Sequence, residues 1–340
     1  MTGRVPVTLL TGFLGSGKTT LLSEIIRRPE LADTAVVVNE FGEIGLDHVL
    51  LERGREDVVL LESGCLCCAA SSELGETLAD LHYRRRRGEI PDFRRLVIET
   101  SGLADPGPIL SLLLGDPDVT RWYAFDKVVT CVDAVHGETQ LAEHPEAMRQ
   151  AAIADTLVLT KIDVAEAECV ERLDRALLAL NARATRVRSA QGRVDPSILS
   201  ISNVMESLGS WRVRDRGSSR DGKVAESVLG HRHGEHVHSF TIPLTRAVDW
   251  PEYVAWLAAL RRFPSTDLLR VKGIVRLGEA GAPHVIQGVQ HVFATPAPID
   301  SMPAEYGEGH LVFITRGIDR DAVLRCFGDG QVAPEARRFR

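Results

Sequence analysis

Gly12-Phe13-Leu14-Gly15-Ser16-Gly17-Lys18-Thr19 fits G-x-x-x-x-G-K-[ST] at every fixed position. The stretch follows a short apolar run, 6–11, and opens a segment with helical spacing, 19–28. Glycines let the backbone curl around an anion so that its N–H groups point inward. The positive end of the following helix adds to the same site. The pattern therefore predicts a phosphate-binding loop between a buried strand and a helix. Lys18 is expected at the β- and γ-phosphates of a nucleotide, and the Thr19 hydroxyl on Mg²⁺. Gly12, Gly15, Ser16, Gly17 and Thr20 complete the nucleotide-binding set.

Outward from that loop, β-branched runs alternate with helical patterns. Strands are expected over 6–11, 35–39, 58–62, 96–100, 128–133, 156–160 and 185–188, with helices such as 19–28 and 72–83 between them. Runs such as Val36-Val37-Val38 and Leu96-Val97-Ile98 are apolar throughout, which suits a parallel sheet covered on both faces. The alternation predicts an α/β fold of the P-loop NTPase kind, a doubly wound and mostly parallel sheet, over residues 1–205. Residues 206–237 are polar and read as a linker with a short histidine run, His231, His233, His236 and His238. A β-α-β-β-β-α order over 238–330 then predicts a small α+β domain, with Asp249 and Asp319 as helix N-caps.

Composition narrows the function. A net charge of −7 argues against a general nucleic-acid binder. The basic run Arg84 to Arg87 follows leucines at helical spacing and reads as a solvated helix end. No apolar stretch approaches the ~20 residues that cross a bilayer, and the start of the chain has no signal-peptide pattern. Six cysteines, three of them crowded into four positions, suit chemistry in a reducing compartment rather than disulfides. The expected location is cytoplasmic, with no membrane partner; the oligomeric state is not legible.

Two further strand ends carry chemistry. Leu96-Val97-Ile98-Glu99-Thr100-Ser101-Gly102 places an acid at a carboxyl end, where Glu99 would face the nucleotide, with a glycine three residues on. Thr160-Lys161-Ile162-Asp163 is close to the guanine-reading N-K-x-D, with threonine in the first place. A carboxylate at Asp163 accepts from both N1–H and the 2-amino group of guanine, and adenine offers neither donor. An unpaired carboxylate there is costly, which selects GTP over ATP. The competing reading of Asp163 is a helix N-cap.

Gly64-Cys65-Leu66-Cys67-Cys68 precedes a helix start near residue 71, where thiol pKa values are lowered. Thiolates bind Zn²⁺, Co²⁺ or Cu⁺ rather than Mg²⁺. Cys65, Cys67 and Cys68 are the candidate metal ligands, supplemented from Glu40, Glu43 and His48. A redox thiol switch is the competing reading. Cys131, Cys169 and Cys326 stand singly and read as packing.

These motifs, in this order, resemble the CobW family of GTPases, which includes zinc metallochaperones, cobalamin-pathway proteins and nitrile hydratase activators. The likeness rests on TGFLGSGKTT (11–20), VVVNEFGEIGLD (36–47), GCLCC (64–68), VIETSGLADP (97–106) and TKID (160–163). It continues through the histidine run, LLRVKGIVRL (268–277) and VIQGVQHVF (285–293). The resemblance implies a GTPase domain and a C-terminal α+β domain, with Glu99 in the Walker B place, Lys161 and Asp163 reading guanine, and Glu40 in a switch segment. It implies GTP hydrolysis, slow in isolation, with Lys18, Thr19 and Glu99 catalytic. GTP, Mg²⁺ and Zn²⁺ (or Co²⁺) are the expected cofactors, and a client metalloprotein the expected partner. A metal- or redox-gated regulatory GTPase that transfers no metal is the alternative. Ser63 departs from the asparagine usual before the cysteine motif, and the histidine run is shorter than in many relatives.

Overall fold

The computed structural model describes residues 3–39, 60–62, 70–199, 237–302, 306–328 and 332. The chain divides into two compact units, Met1–Gly230 and His231–Arg340. The first contains strands β1 (Val5–Gly12), β2 (Thr34–Asn39), β3 (Leu60–Glu62), β4 (Arg95–Thr100), β5 (Tyr123–Asp133), β6 (Thr156–Thr160) and β7 (Thr185–Arg188). They form one seven-stranded sheet in the order β3-β2-β4-β1-β5-β6-β7, every described pairing parallel. Its helices are α1 (Lys18–Ile25), α2 (Ala70–Arg87), α3 (Gly107–Gly115), α4 (Pro117–Trp122), α5 (Gly137–Glu143), α6 (Pro145–Ala152) and α7 (Ala167–Leu180). This is the doubly wound P-loop NTPase architecture.

The strands are apolar on both sides because both sides are covered. Leu10, Val36, Val97, Val129 and Val158 pack with Leu21, Leu22 and Ile25 of α1 in one core. Leu74, Leu78 and Leu81, four and three residues apart on α2, are fully buried as their spacing requires. Helix α2 runs four residues past the end its leucines suggest, through Arg84 to Arg87. The arginines sit in the last turn, where cations suit the helix dipole, and Asp80, Asp92 and Glu89 pair with Arg84, Arg85 and Arg87. Strand β5 begins five residues before the expected position 128. Its polar start, through Asp126 and Lys127, is carried by pairing along the whole of β1, with a register shift at Val7/Thr8.

Asn181, fully buried after α7, fastens that side of the sheet. Its amide donates to the carbonyls of Ala151, Ala152 and Ala154 at 3.2, 2.8 and 2.9 Å, and its Oδ1 accepts from the N–H groups of Arg183 and Ala184.

The second unit contains β8 (Val237–Pro243), α8 (Trp250–Leu260), β9 (Leu268–Leu277), β10 (Ala282–Val289), β11 (Val292–Phe293), β12 (Ala297–Pro298), β13 (Gly309–Arg316) and α9 (Arg320–Leu324). The sheet is antiparallel in the order β11-β10-β9-β13-β8, with β12 on β10. Its core joins Trp256 and Leu260 of α8 to Val271, Val275 and Phe313, and Val323 of α9 to the same cluster. Asp249 caps α8 in a reciprocal box with Glu252, and Asp319 caps α9. The last helix is short, Arg320–Leu324. His238 belongs to β8, opposite Thr315. Among the described residues no helix is long and apolar enough to cross a membrane.

Asn181→Ala should destabilise the first unit by about 3 kcal/mol, because buried carbonyls lose their donor. Native-state hydrogen exchange of the β6 amides reads this directly; unchanged protection would contradict the assignment.

Candidate functional site

The carboxyl ends of β1, β4, β5 and β6 supply the site. β1 ends at Gly12, φ 144, where a Cβ would stand 2.4 Å from the Cys131 carbonyl and 2.6 Å from Ser16 Oγ. Only glycine fits that approach. The chain then turns through Gly15 and Gly17, both at positive φ, and Gly17 in left-handed conformation begins α1. No side chain caps helix α1, and a helix N-terminus is where main-chain N–H groups suit an anion. Lys18 is 6 % exposed and folds back along the loop; its Nζ donates to the carbonyls of Gly12 at 2.9 Å and Phe13 at 3.4 Å. That places a cation inside the curl of the loop. Ser16 Oγ is buried and has no hydrogen-bond partner in the protein. Thr20 is exposed on the far side of the same turn.

Glu99 is fully buried at the end of β4, level with Leu10 of β1 and Val38 of β2. Its Oε1 accepts from Thr19 Oγ1 at 2.6 Å, so two sequence-predicted residues 80 positions apart meet at the phosphate loop. A hydroxyl and a carboxylate side by side are hard oxygen donors, the set that suits Mg²⁺. The residues present therefore fit the ion that this loop implies. Beyond Glu99, Gly102 presses on the phosphate loop: a Cβ there would lie 2.7 Å from the backbone N and Cα of Leu14.

Thr160, where the sequence pattern expects asparagine, ties the end of β6 to the phosphate loop. Its hydroxyl donates to the Ser16 carbonyl at 2.7 Å, with the Val132 carbonyl 3.2 Å away as second acceptor. Lys161, at φ 57, donates through Nζ to Asp133 Oδ2 at 2.8 Å. Asp133 is 1 % exposed, and its other oxygen accepts from Val135 N–H, which fixes the carboxylate at the end of β5. Asp163 is exposed in the turn that follows. It is not a helix N-cap: α7 starts at Ala167 and its cap is Glu166.

Two participants escaped the sequence reading. Asp133 ends the apolar run Val128-Val129-Thr130-Cys131-Val132, the same signal that marked Glu99. The second is the turn 189–192 after β7. Ser189 accepts from Ile162 N–H at 3.3 Å, and its buried hydroxyl has no partner. A Cβ on Gly192 would lie 2.9 Å from the Thr20 carbonyl. This turn therefore joins the base-reading loop to α1. Nothing in the local pattern distinguishes it from an ordinary polar turn.

Cys65, Cys67, Cys68, Glu40, Glu43 and His48 lie outside the described residues, as do His231, His233 and His236. Among the described residues no three His, Cys, Asp or Glu side chains gather to hold a metal ion. Cys131 is buried beneath the phosphate loop, and burial pushes its thiol up to about 12 against the opposing pull of Lys18. Cys326, half-buried, is also raised by burial.

A glycine-lined loop, a buried acid on its threonine and the turn 160–163 beside them define a P-loop nucleotide-binding protein. Residues 6–188 match the CobW/HypB/UreG nucleotide-binding domain, and residues 237–330 match the cobalamin synthesis protein cobW C-terminal domain. The chain belongs to the CobW family. It is 34 % identical over 293 residues to the zinc chaperone YjiA of Escherichia coli, covering 85 % of this chain and 87 % of that protein. It is 28 % identical to the zinc-regulated GTPase metalloprotein activator 1 of Schizosaccharomyces pombe, over 93 % of this chain and 83 % of the relative. Among solved structures, Zn(II)-bound YjiA GTPase from E. coli matches with a TM-score of 0.69 at 28 % identity, covering 95 % of this chain and 98 % of that one.

Cys131 should resist thiol reagents at pH 8, where a group titrating near 12 is only about one part in ten thousand thiolate. Its labelling should rise about tenfold per pH unit while the fold holds. Mass spectrometry of the alkylated protein checks this; prompt labelling at pH 8 would show that the site opens.

Proposed function

We propose that this chain is a GTPase that carries a transition-metal ion, zinc or cobalt, and passes it to a client metalloprotein as the nucleotide turns over. The sheet register supports a coupling between nucleotide and metal. Glu62 of β3 lies opposite Val38, and Val38 lies opposite Glu99. The strands that precede Glu40 and the cysteine segment in the sequence therefore end level with Glu99. Cys65 follows Glu62 by three residues. The word zinc in the names of the E. coli and S. pombe relatives supports that metal as the cargo.

In this reading Lys18 and the loop N–H groups hold the phosphates. Thr19 and Glu99 would hold Mg²⁺, which neutralises charge developing between the β- and γ-phosphates. Asp163 accepts from the two guanine donors, and the Lys161 stem covers the purine face while Asp133 holds its ammonium. Loss of γ-phosphate contacts is the general way such sites loosen a neighbouring segment. Here that segment would be the thiol loop with Cys65, Cys67 and Cys68, and Glu40 beside it. Linkage then requires metal to tighten GTP by the factor with which GTP tightens metal. Residues 206–237 serve as the linker and 238–330 as the C-terminal domain.

Two experiments test the reading. Zn²⁺ and Co²⁺ are titrated against a chromogenic chelator with a GTP analogue, with GDP and without nucleotide. Tighter binding with the analogue, abolished in Cys67→Ala, is expected; equal affinity in all three states would leave a redox or regulatory thiol instead. Asp163→Asn turns an acceptor into a donor at the base. GTP affinity should fall about 100-fold or more, with xanthosine triphosphate, whose C2 bears a carbonyl, bound in its place. Unchanged GTP binding would remove Asp163 from the site.

A further inference from the structure

We propose that Gln150 is a positioning residue for the terminal-phosphate side of the nucleotide site, acting through the main chain of the loop 101–104. The inference deepens the GTPase reading and rests on it.

Gln150 lies on α6 and is fully buried. Its Nε2 donates to two carbonyls of one loop, Gly102 at 3.1 Å and Ala104 at 3.0 Å. Its main-chain carbonyl accepts from Thr130 Oγ1 at 2.9 Å, which fixes the helix against β5. The side chain thus spans from the helix to the segment that follows Glu99. That segment is closed on itself by Ala104 N–H to the Ser101 carbonyl at 3.1 Å. On its other side it meets the phosphate loop, because Gly102 touches the Leu14 backbone closely enough to exclude a Cβ. The same helix reaches the loop a second time. Its N-cap, His144, stacks on the Phe13 ring with centroids 4.5 Å apart and planes at 24°.

The direction of the effect follows from where the loop lies. Glu99 and Thr19 would hold Mg²⁺, whose charge would serve the terminal phosphates, and Gly102 is three residues past Glu99. GDP needs the curl of the phosphate loop and the base turn. Only the triphosphate gains from having 101–104 already in place. Without Gln150 the loop must be ordered when the triphosphate binds, and that cost falls on GTP alone.

The full-length chain is compared with Gln150→Met, which keeps length but donates nothing, and with the milder Gln150→Asn, which keeps the amide but is shorter. Affinities for GDP and for a non-hydrolysable GTP analogue are measured with Mg²⁺, together with Tm and single-turnover hydrolysis. Gln150→Met should lower analogue affinity about tenfold and slow hydrolysis, while GDP affinity stays within about twofold. Gln150→Asn should shift the ratio in the same direction by less. An analogue-to-GDP ratio within about twofold of the wild type, in whichever variant folds, would overturn the proposal, since a merely structural role lowers both affinities alike. A wild-type chain that binds neither nucleotide would instead overturn the GTPase reading.

Discussion

A carboxylate with no solvent exposure sits at the centre of the nucleotide site, and its environment sets the terms for the rest. Glu99 tolerates burial because Thr19 donates to it and because its strand is paired on both sides, to β1 and to β2. Those pairings fix where the phosphate loop begins, at Gly12, and where β2 ends, at Asn39. A shift of one residue in β4 would turn Glu99 away from Thr19 and carry Gly102 off Leu14 together. The acid and the loop glycine are thus a single geometric decision, made by the register of β4 between β1 and β2.

The parts legible in the sequence are those whose meaning is local. The phosphate loop needs glycines at Gly12, Gly15 and Gly17 because the backbone itself takes positive φ there, and no distant residue changes that. The strands were legible for a related reason: Val7, Leu9, Val97 and Ile98 are buried on both faces, so composition alone marks them. Residues that work by reaching across the fold were not legible. Gln150 sits in a short helix of mixed composition, and its value comes from two carbonyls 46 and 48 residues away. Asp133 and Ser189 gain their roles only when β5, β6 and β7 are laid side by side. The length of β5 was likewise invisible, because its polar start is held by β1 and not by its own propensity.

Threonine at position 160 shows how a motif can vary and keep its purpose. The hydroxyl has one proton to give and gives it to the phosphate loop, at the Ser16 carbonyl. Its carbonyl meanwhile accepts from Ala134 N–H. A short side chain suffices because the two backbones run close together: a Cβ on Gly17 would touch the Thr160 side chain at 3.7 Å. The base-reading strand and the phosphate loop are therefore held by one rigid contact, and the lysine that follows is oriented by Asp133 rather than by its neighbours.

The first strand of the chain is the innermost strand of its sheet. Val7 pairs with Leu96, 89 residues later, and Val5 with Tyr123, 118 residues later, so β1 has no partner in its sheet until β4 has followed it. Synthesis runs from β1 towards β4 and β5, so this apolar strand emerges well before either of its neighbours can cover it. The phosphate loop, attached to that strand, takes its shape only when β5 closes over it with the Cys131 carbonyl. Nucleotide affinity is thus acquired late in synthesis, and a chain halted before β5 would carry the complete motif without the ability to use it.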